Sequence, residues 1–266
     1  MSKVAPQPRA DEPRSGLGGA ALRNPAATAP VSARERLIVA LDVPNAADAR
    51  RLSQTLGSSA GWFKVGKQLF TAEGPQLVRE LTGAGRQVFL DLKFHDIPNT
   101  VAGAVRSAAA LGAGMITVHA SGGSAMLQAA VEAAATSSKP LLVLAVTVLT
   151  SLSDEDLEQI GVAGRVQDQV LRLAALARAA GCGGIVASAR EAREVRRELG
   201  EGFAIVTPGI RRAGGERGDQ ARVDTPAEAI RAGATHIVVG RPITQAADPK
   251  AAAEAVVEEI DLAGRG

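Results

Sequence analysis

Tyrosine is absent from the 266 residues, and with one tryptophan and five phenylalanines the aromatic fraction is 2%. A protein that binds single strands by stacking bases needs several rings, so that class of function is excluded. The core must come instead from the Ala, Val, Leu and Ile that supply most of a 46% hydrophobic composition. Cysteine occurs once, at Cys182. That rules out a disulfide framework and a thiolate metal site, and fits a buried structural thiol in a reducing cytoplasm. No apolar run reaches the roughly 18 residues needed to cross a bilayer, the longest lying around Pro140 to Leu149, so no membrane association is expected. A broad basic surface is missing too, although the sequence pI is near 9.0. The first 35 residues hold five basic side chains (Lys3, Arg9, Arg14, Arg23, Arg34) and three acidic ones (Asp11, Glu12, Glu35), leaving 25 of each sign in the rest. The body is neutral, and no nucleic-acid partner is implied.

Residues 1 to 34 are rich in Pro, Ala, Gly and Arg without hydrophobic period, and read as a disordered extension. A transit peptide fits less well, because Asp11, Glu12 and scattered prolines spoil a basic amphipathic helix. Residues 35 to 266 read as a single domain. Apolar runs rich in β-branched residues occur at 36–42, 62–66, 87–93, 115–120, 140–148, 183–188, 203–209 and 236–242. Stretches with helical spacing, such as Val166, Val170, Leu173 and Ala177, lie between them. Strands buried on both faces read as continuous apolar runs, and the connections are too long for hairpins, so eight strands alternating with eight helical segments predict a closed (β/α)8 barrel. An open doubly wound sheet is the alternative, but no G-x-G-x-x-G follows the first strand.

The strand ends carry polar groups: Asp42, Lys64, Asp91 with Lys93, His119, Thr147, Ser188, Thr207 and Arg241. In a barrel these ends converge on one mouth, where catalytic groups are found. Strand-to-loop boundaries explain Ser188 and Thr207. They do not explain Lys64, Asp91 and Lys93, because a charge at an apolar strand end costs several kcal/mol unless paired. The third run continues as FLDLKFHDIPNT, residues 89 to 100. Period-two geometry puts Asp91 and Lys93 on one face, with Asp96 just beyond. Alternating Lys and Asp would keep the lysines protonated and able to deliver a proton, although a structural salt-bridge cluster has the same composition.

A phosphate site is expected from the loops after strands seven and eight, where Gly240 permits close backbone approach and Arg241 offers charge-assisted hydrogen bonds. The glycine-rich segment 209–224 beside it reads as a lid from which Arg211 or Gln220 reaches inward. His95, His119 and His236 have no metal-ligand spacing and are assigned structural roles.

These segments resemble the bacterial orotidine 5'-phosphate decarboxylase family. The matching runs are ALD at 40–42, FKVG at 63–66, DLKFHDIPNT at 91–100, VHASGG at 118–123, TVLTS at 147–151, TPGIR at 207–211, the DQ pair at 219–220 and VVGRPI at 238–243, in order across residues 36–262. The resemblance implies decarboxylation of orotidine 5'-monophosphate without metal or organic cofactor. It casts Lys93 as proton donor to C6, Asp91 against the substrate carboxylate, and Lys64 with Asp42 at the ribose and in the charge network. It also implies a homodimer with shared sites, in which Asp96 and Thr100 come from the neighbouring subunit. Thr150 and Pro208 would border the pyrimidine, and Arg211, Gln220, Gly240 and Arg241 the phosphate. Magnesium-dependent relatives, the 3-keto-L-gulonate 6-phosphate decarboxylases and hexulose phosphate synthases, share the Asp-x-Lys-x-x-Asp run but carry an acidic residue where this chain has Lys64. A non-catalytic phosphate-binding barrel is the rival outside enzymology.

Overall fold

A computed structural model describes residues 32–211 and 224–265. The expected extension, apart from its last few residues, and most of the expected lid, Gln220 included, lie outside the described residues. The elements run β1 Leu37–Ala40, α1 Ala46–Leu56, β2 Trp62–Gly66, α2 Lys67–Gly83, β3 Val88–Phe94, α3 Pro98–Ala110, β4 Met115–His119, α4 Gly123–Ala135, β5 Leu142–Val146, α5 Asp154–Gln159, α6 Val166–Ala179, β6 Gly184–Val186, α7 Ala189–Leu199, β7 Ala204–Thr207, α8 Pro226–Arg231, β8 His236–Val239, α9 Arg241–Thr244 and α10 Pro249–Ala263. The eight strands pair in sequence order, all parallel, and β8 closes onto β1. The fold is a single-domain (β/α)8 barrel.

The helices begin where the chemistry says they should. Asn45, Thr225 and Asp248 cap α1, α8 and α10 through their side chains, and Ser153 and Ser188 form reciprocal capping boxes with Asp156 and Glu191. The spacing expected for α6 is realised, with Val166, Val170, Leu173 and Ala177 buried against the sheet. Gly74, at φ 68°, with Pro75 behind it, kinks α2. Two short helices, α5 and α9, follow the C-terminal ends of β5 and β8, and α9 begins at Arg241, inside the run expected for the eighth strand, which ends at Val239.

Two apolar layers result. The larger lies between strands and helices, and the smaller fills the barrel interior with Ile38, Ala40, Phe89, Met115, Leu144, Val206 and their neighbours. Trp62 joins that inner cluster from the start of β2. A Cβ at Gly114 would lie 2.7 Å from its ring, so the residue before β4 has no room for a side chain. Among the described residues, no helix is long and apolar enough to cross a membrane.

Candidate active site

The inner face changes character as it climbs on β1 to β4 and on β8. Ala40 is followed two residues on by Asp42, Trp62 by Lys64, Phe89 by Asp91, Met115 by Thr117 and Val238 by Gly240. The two-residue period of a strand therefore converts the top of the apolar inner cluster into a polar floor at the C-terminal mouth. Above it opens a cavity of about 530 Å³.

The charges meet there. Lys93 Nζ donates to Asp91 Oδ1 at 2.7 Å, and Lys64 Nζ lies 3.1 Å from Asp42 Oδ1 and 3.7 Å from Asp91 Oδ2. The Asp91 side chain is 12% exposed. Burial pushes its carboxyl up, but the Lys93 and Lys64 charges, with hydrogen bonds from Lys93 and Thr117, outweigh burial and hold it below the usual carboxylate value. The magnitudes agree. Each ammonium at such range attracts a carboxylate by roughly 4 kcal/mol at an effective dielectric of about 20, so two together exceed a burial cost of several kcal/mol. Asp91 is thus a fixed anion between two cations.

Asp91 and Lys93 come together as their spacing predicted, but not through regular strand alternation. Lys93 has φ 53°, making it the single non-glycine residue with positive φ among the described residues, and β3 slips register against β4 between Leu90 and Phe94. Thr117, not among the residues expected from the sequence, joins the pair. Its hydroxyl donates to Asp91 Oδ1 at 3.0 Å and accepts the Lys93 backbone N–H at 2.9 Å. The signal was available, because a lone hydroxyl in MITVH sits in phase with Met115.

Thr150, Pro208, Arg211, Gly240 and Arg241 all line the cavity, as do Gln68 and Gln245, which sequence reasoning did not select. The two ends of the 209–224 segment are tied together: Arg211 N–H donates to the Asp224 carbonyl at 3.0 Å, next to a bridge between Ile210 and Asp224. Asp96 and Thr100 do not line the cavity of their own chain. Both are exposed, and Asp96 Oδ1 accepts its neighbour's Ile97 N–H at 2.6 Å. His95 and His119 stack obliquely, with ring centroids 5.4 Å apart. Burial first, then the charges of His95, Lys67 and Lys93, pushes His119 down to about 4. His236 lies at the opposite end of the barrel, buried, with Nδ1 2.9 Å from Thr235 Oγ1. Among the described residues, no three His, Cys, Asp or Glu side chains converge as a metal site.

Fold and constellation together define a (β/α)8-barrel enzyme built around a Lys-Asp-Lys network at the strand ends. The family model described as "Orotidine 5'-phosphate decarboxylase / HUMPS family" matches residues 35–256. The chain belongs to that family. It is 54% identical over 236 residues to an orotidine 5'-phosphate decarboxylase of Moorella thermoacetica, covering 86% of this chain and 94% of that one. It is 58% identical over 226 residues to one of Alkalilimnicola ehrlichii, covering 85% and 96%. The crystal structure of orotidine 5'-phosphate decarboxylase from Lactobacillus acidophilus superposes with a TM-score of 0.76 at 40% identity, covering 85% of this chain and 98% of that one.

Proposed function

We propose that the chain decarboxylates orotidine 5'-monophosphate to uridine 5'-monophosphate for pyrimidine nucleotide synthesis, with no metal or organic cofactor. The observation that carries this reading is Asp91 held between Lys93 at 2.7 Å and Lys64 at 3.7 Å on the floor of the cavity. When the C6–carboxylate bond breaks, carbon dioxide leaves and the electron pair remains in the plane of the ring, where the π system does not delocalise it. A cation fixed beside C6 stabilises that charge, and a proton then passes from Lys93 Nζ to C6. Asp91 orients the ammonium and sets a negative charge near the substrate carboxylate, which disfavours the charged ground state. Lys64 supports the metal-free part of the reading, because a divalent cation approaching Asp91 meets an ammonium already in place.

The ribose falls to Asp42 and Lys64, the pyrimidine edge to Thr150 and Pro208, and the phosphate to Gly240, Arg241 and Arg211, with Gln220 contributing from the loop. Asp96 and Thr100 serve the site of a second copy in a homodimer. The exposed run from His95 to Thr100, including Ile97 at 67% exposure, supports that assignment. The test is the fall in orotidylate absorbance, followed with and without a chelator. Equal rates in both arms are expected; loss of activity on chelation overturns the metal-free mechanism, and no activity in either arm overturns the substrate.

A further inference from the structure

The register slip in β3 has an occupant. Leu90 pairs with Ile116 and Phe94 with Val118, so Asp91, Leu92 and Lys93 stand opposite Thr117 alone. Thr117 is fully buried. Its hydroxyl accepts the Lys93 backbone N–H at 2.9 Å and donates to Asp91 Oδ1 at 3.0 Å, the same oxygen that receives Lys93 Nζ at 2.7 Å. A closed ring results. It runs from the Lys93 amide through the Thr117 hydroxyl and the Asp91 carboxylate to the Lys93 ammonium, and returns along the Lys93 side chain. The bulge takes the Lys93 amide off the β4 ladder, and an N–H left in the interior without an acceptor is expensive. A positive φ is also costly for a side chain with a Cβ, and persists only where its surroundings impose it. One hydroxyl meets both demands and sets the conformation from which the ammonium projects.

We infer that Thr117 is a positioning residue: its hydroxyl couples the strained Lys93 backbone to the Asp91 carboxylate and so fixes where the Lys93 ammonium stands. The inference rests on the decarboxylase reading for its kinetic consequence, but not for its structural one. A Thr that is merely a good core residue would be replaced by valine, of the same shape, without loss of rate.

Thr117→Val and Thr117→Ser separate the two roles. Valine is expected to lower kcat by about 10- to 100-fold, the scale of an ångström-sized misplacement. KM and the affinity for the product uridine 5'-monophosphate should stay within about threefold, because the phosphate and ribose contacts are untouched. Serine keeps the hydroxyl and should restore most of kcat. Hydrogen exchange at the Lys93 amide supplies a readout independent of activity. It should quicken at least about tenfold in the valine variant and stay slow in the serine variant, since an opened local hydrogen bond is what exchange detects. If the valine variant does not fold, Thr117→Cys, close in volume and weak in hydrogen bonding, takes its place. Valine with wild-type kcat, serine as poor as valine, product affinity lost in step with kcat, or an unchanged Lys93 exchange rate would each overturn the proposal. Wild-type protein inert toward orotidylate would overturn the decarboxylase reading instead, and the exchange comparison would still decide the role of Thr117.

Discussion

The two walls of the cavity are built in opposite ways. On the side of β1 to β4, Asp42, Lys64, Asp91, Lys93 and Thr117 form one connected hydrogen-bonded and ion-paired set. Across from them, β5 to β7 present Val146, Val186 and Val206, with Pro208 just above. The apolar wall holds no charge in place. It keeps water from one flank, so that the fields of the opposite wall are less screened than they would be at an open surface. Preorganisation is thus divided: one wall supplies fixed charge, the other supplies the medium in which fixed charge is strong.

Breaking the charged wall at its centre should have the largest effect. Lys93→Ala is expected to lower kcat by at least about 10²-fold, the lower end for a general acid, while leaving affinity for uridine 5'-monophosphate largely intact. Single-turnover kinetics and product titration check this, and retention of more than about a tenth of kcat would show that Lys93 is misassigned.

Next comes the third sector of the mouth, where Gly209, Ile210 and Arg211 after β7 face Gly240 and Arg241 after β8. If the substrate phosphate binds at Arg211, Gly240 and Arg241, the nucleoside orotidine should lose kcat/KM by several kcal/mol in barrier terms, and Arg241→Ala should impair the full substrate similarly. Equal efficiency with nucleoside and nucleotide would separate that sector from catalysis.

Asp96 tests whether the charged wall is complete within one chain. A dimer pairing Lys93→Ala with Asp96→Asn would contain one doubly damaged site and one intact site if Asp96 crosses to the neighbour. Random reassembly of the two inactive homodimers should then recover about a quarter of wild-type activity, for a symmetric dimer. No recovery after verified subunit exchange would confine Asp96 to its own chain.

The smaller effects concern stability. Burial pushes His236 down to about 4 from an ordinary 6.5, and Arg36 adds to this. A folded value below the unfolded one means that the unfolded chain binds the extra proton, so this contribution is fully present above pH 6.5 and is lost as pH falls toward 4. His119, down to about 4, acts in the same direction. Urea unfolding at a series of pH values should show stability falling across that window, less steeply for His236→Gln. The lowered Asp91 carboxyl contributes in the same sense but at lower pH, below its ordinary 3.8. Smallest of all, Lys93→Gly should be more stable than Lys93→Ala by about 1 kcal/mol, because only glycine accepts a φ of 53° freely.

Legibility in the sequence followed periodicity and failed where periodicity fails. The strands were readable because both of their faces are buried, so each became an apolar run ending in a polar group. Asp91 and Lys93 were readable because their spacing of two mimics a regular strand. The bulge that actually joins them was invisible for the same reason: nothing in DLK distinguishes a flat strand from one folded back on a neighbour. Thr117 was overlooked in favour of His119, which ends β4, although both belong to the inner face. The helices α5 and α9 are too short, at six and four residues, to show a period.

The scarcity of aromatic rings has an experimental consequence. Trp62 is the only tryptophan, there is no tyrosine, and the indole packs at the end of the barrel away from the mouth, against Gly114. Intrinsic emission is therefore a single-site reporter of barrel closure, free of tyrosine background, from a ring that is not among the residues lining the cavity. Unfolding of the barrel can be followed at that one ring without introducing a label.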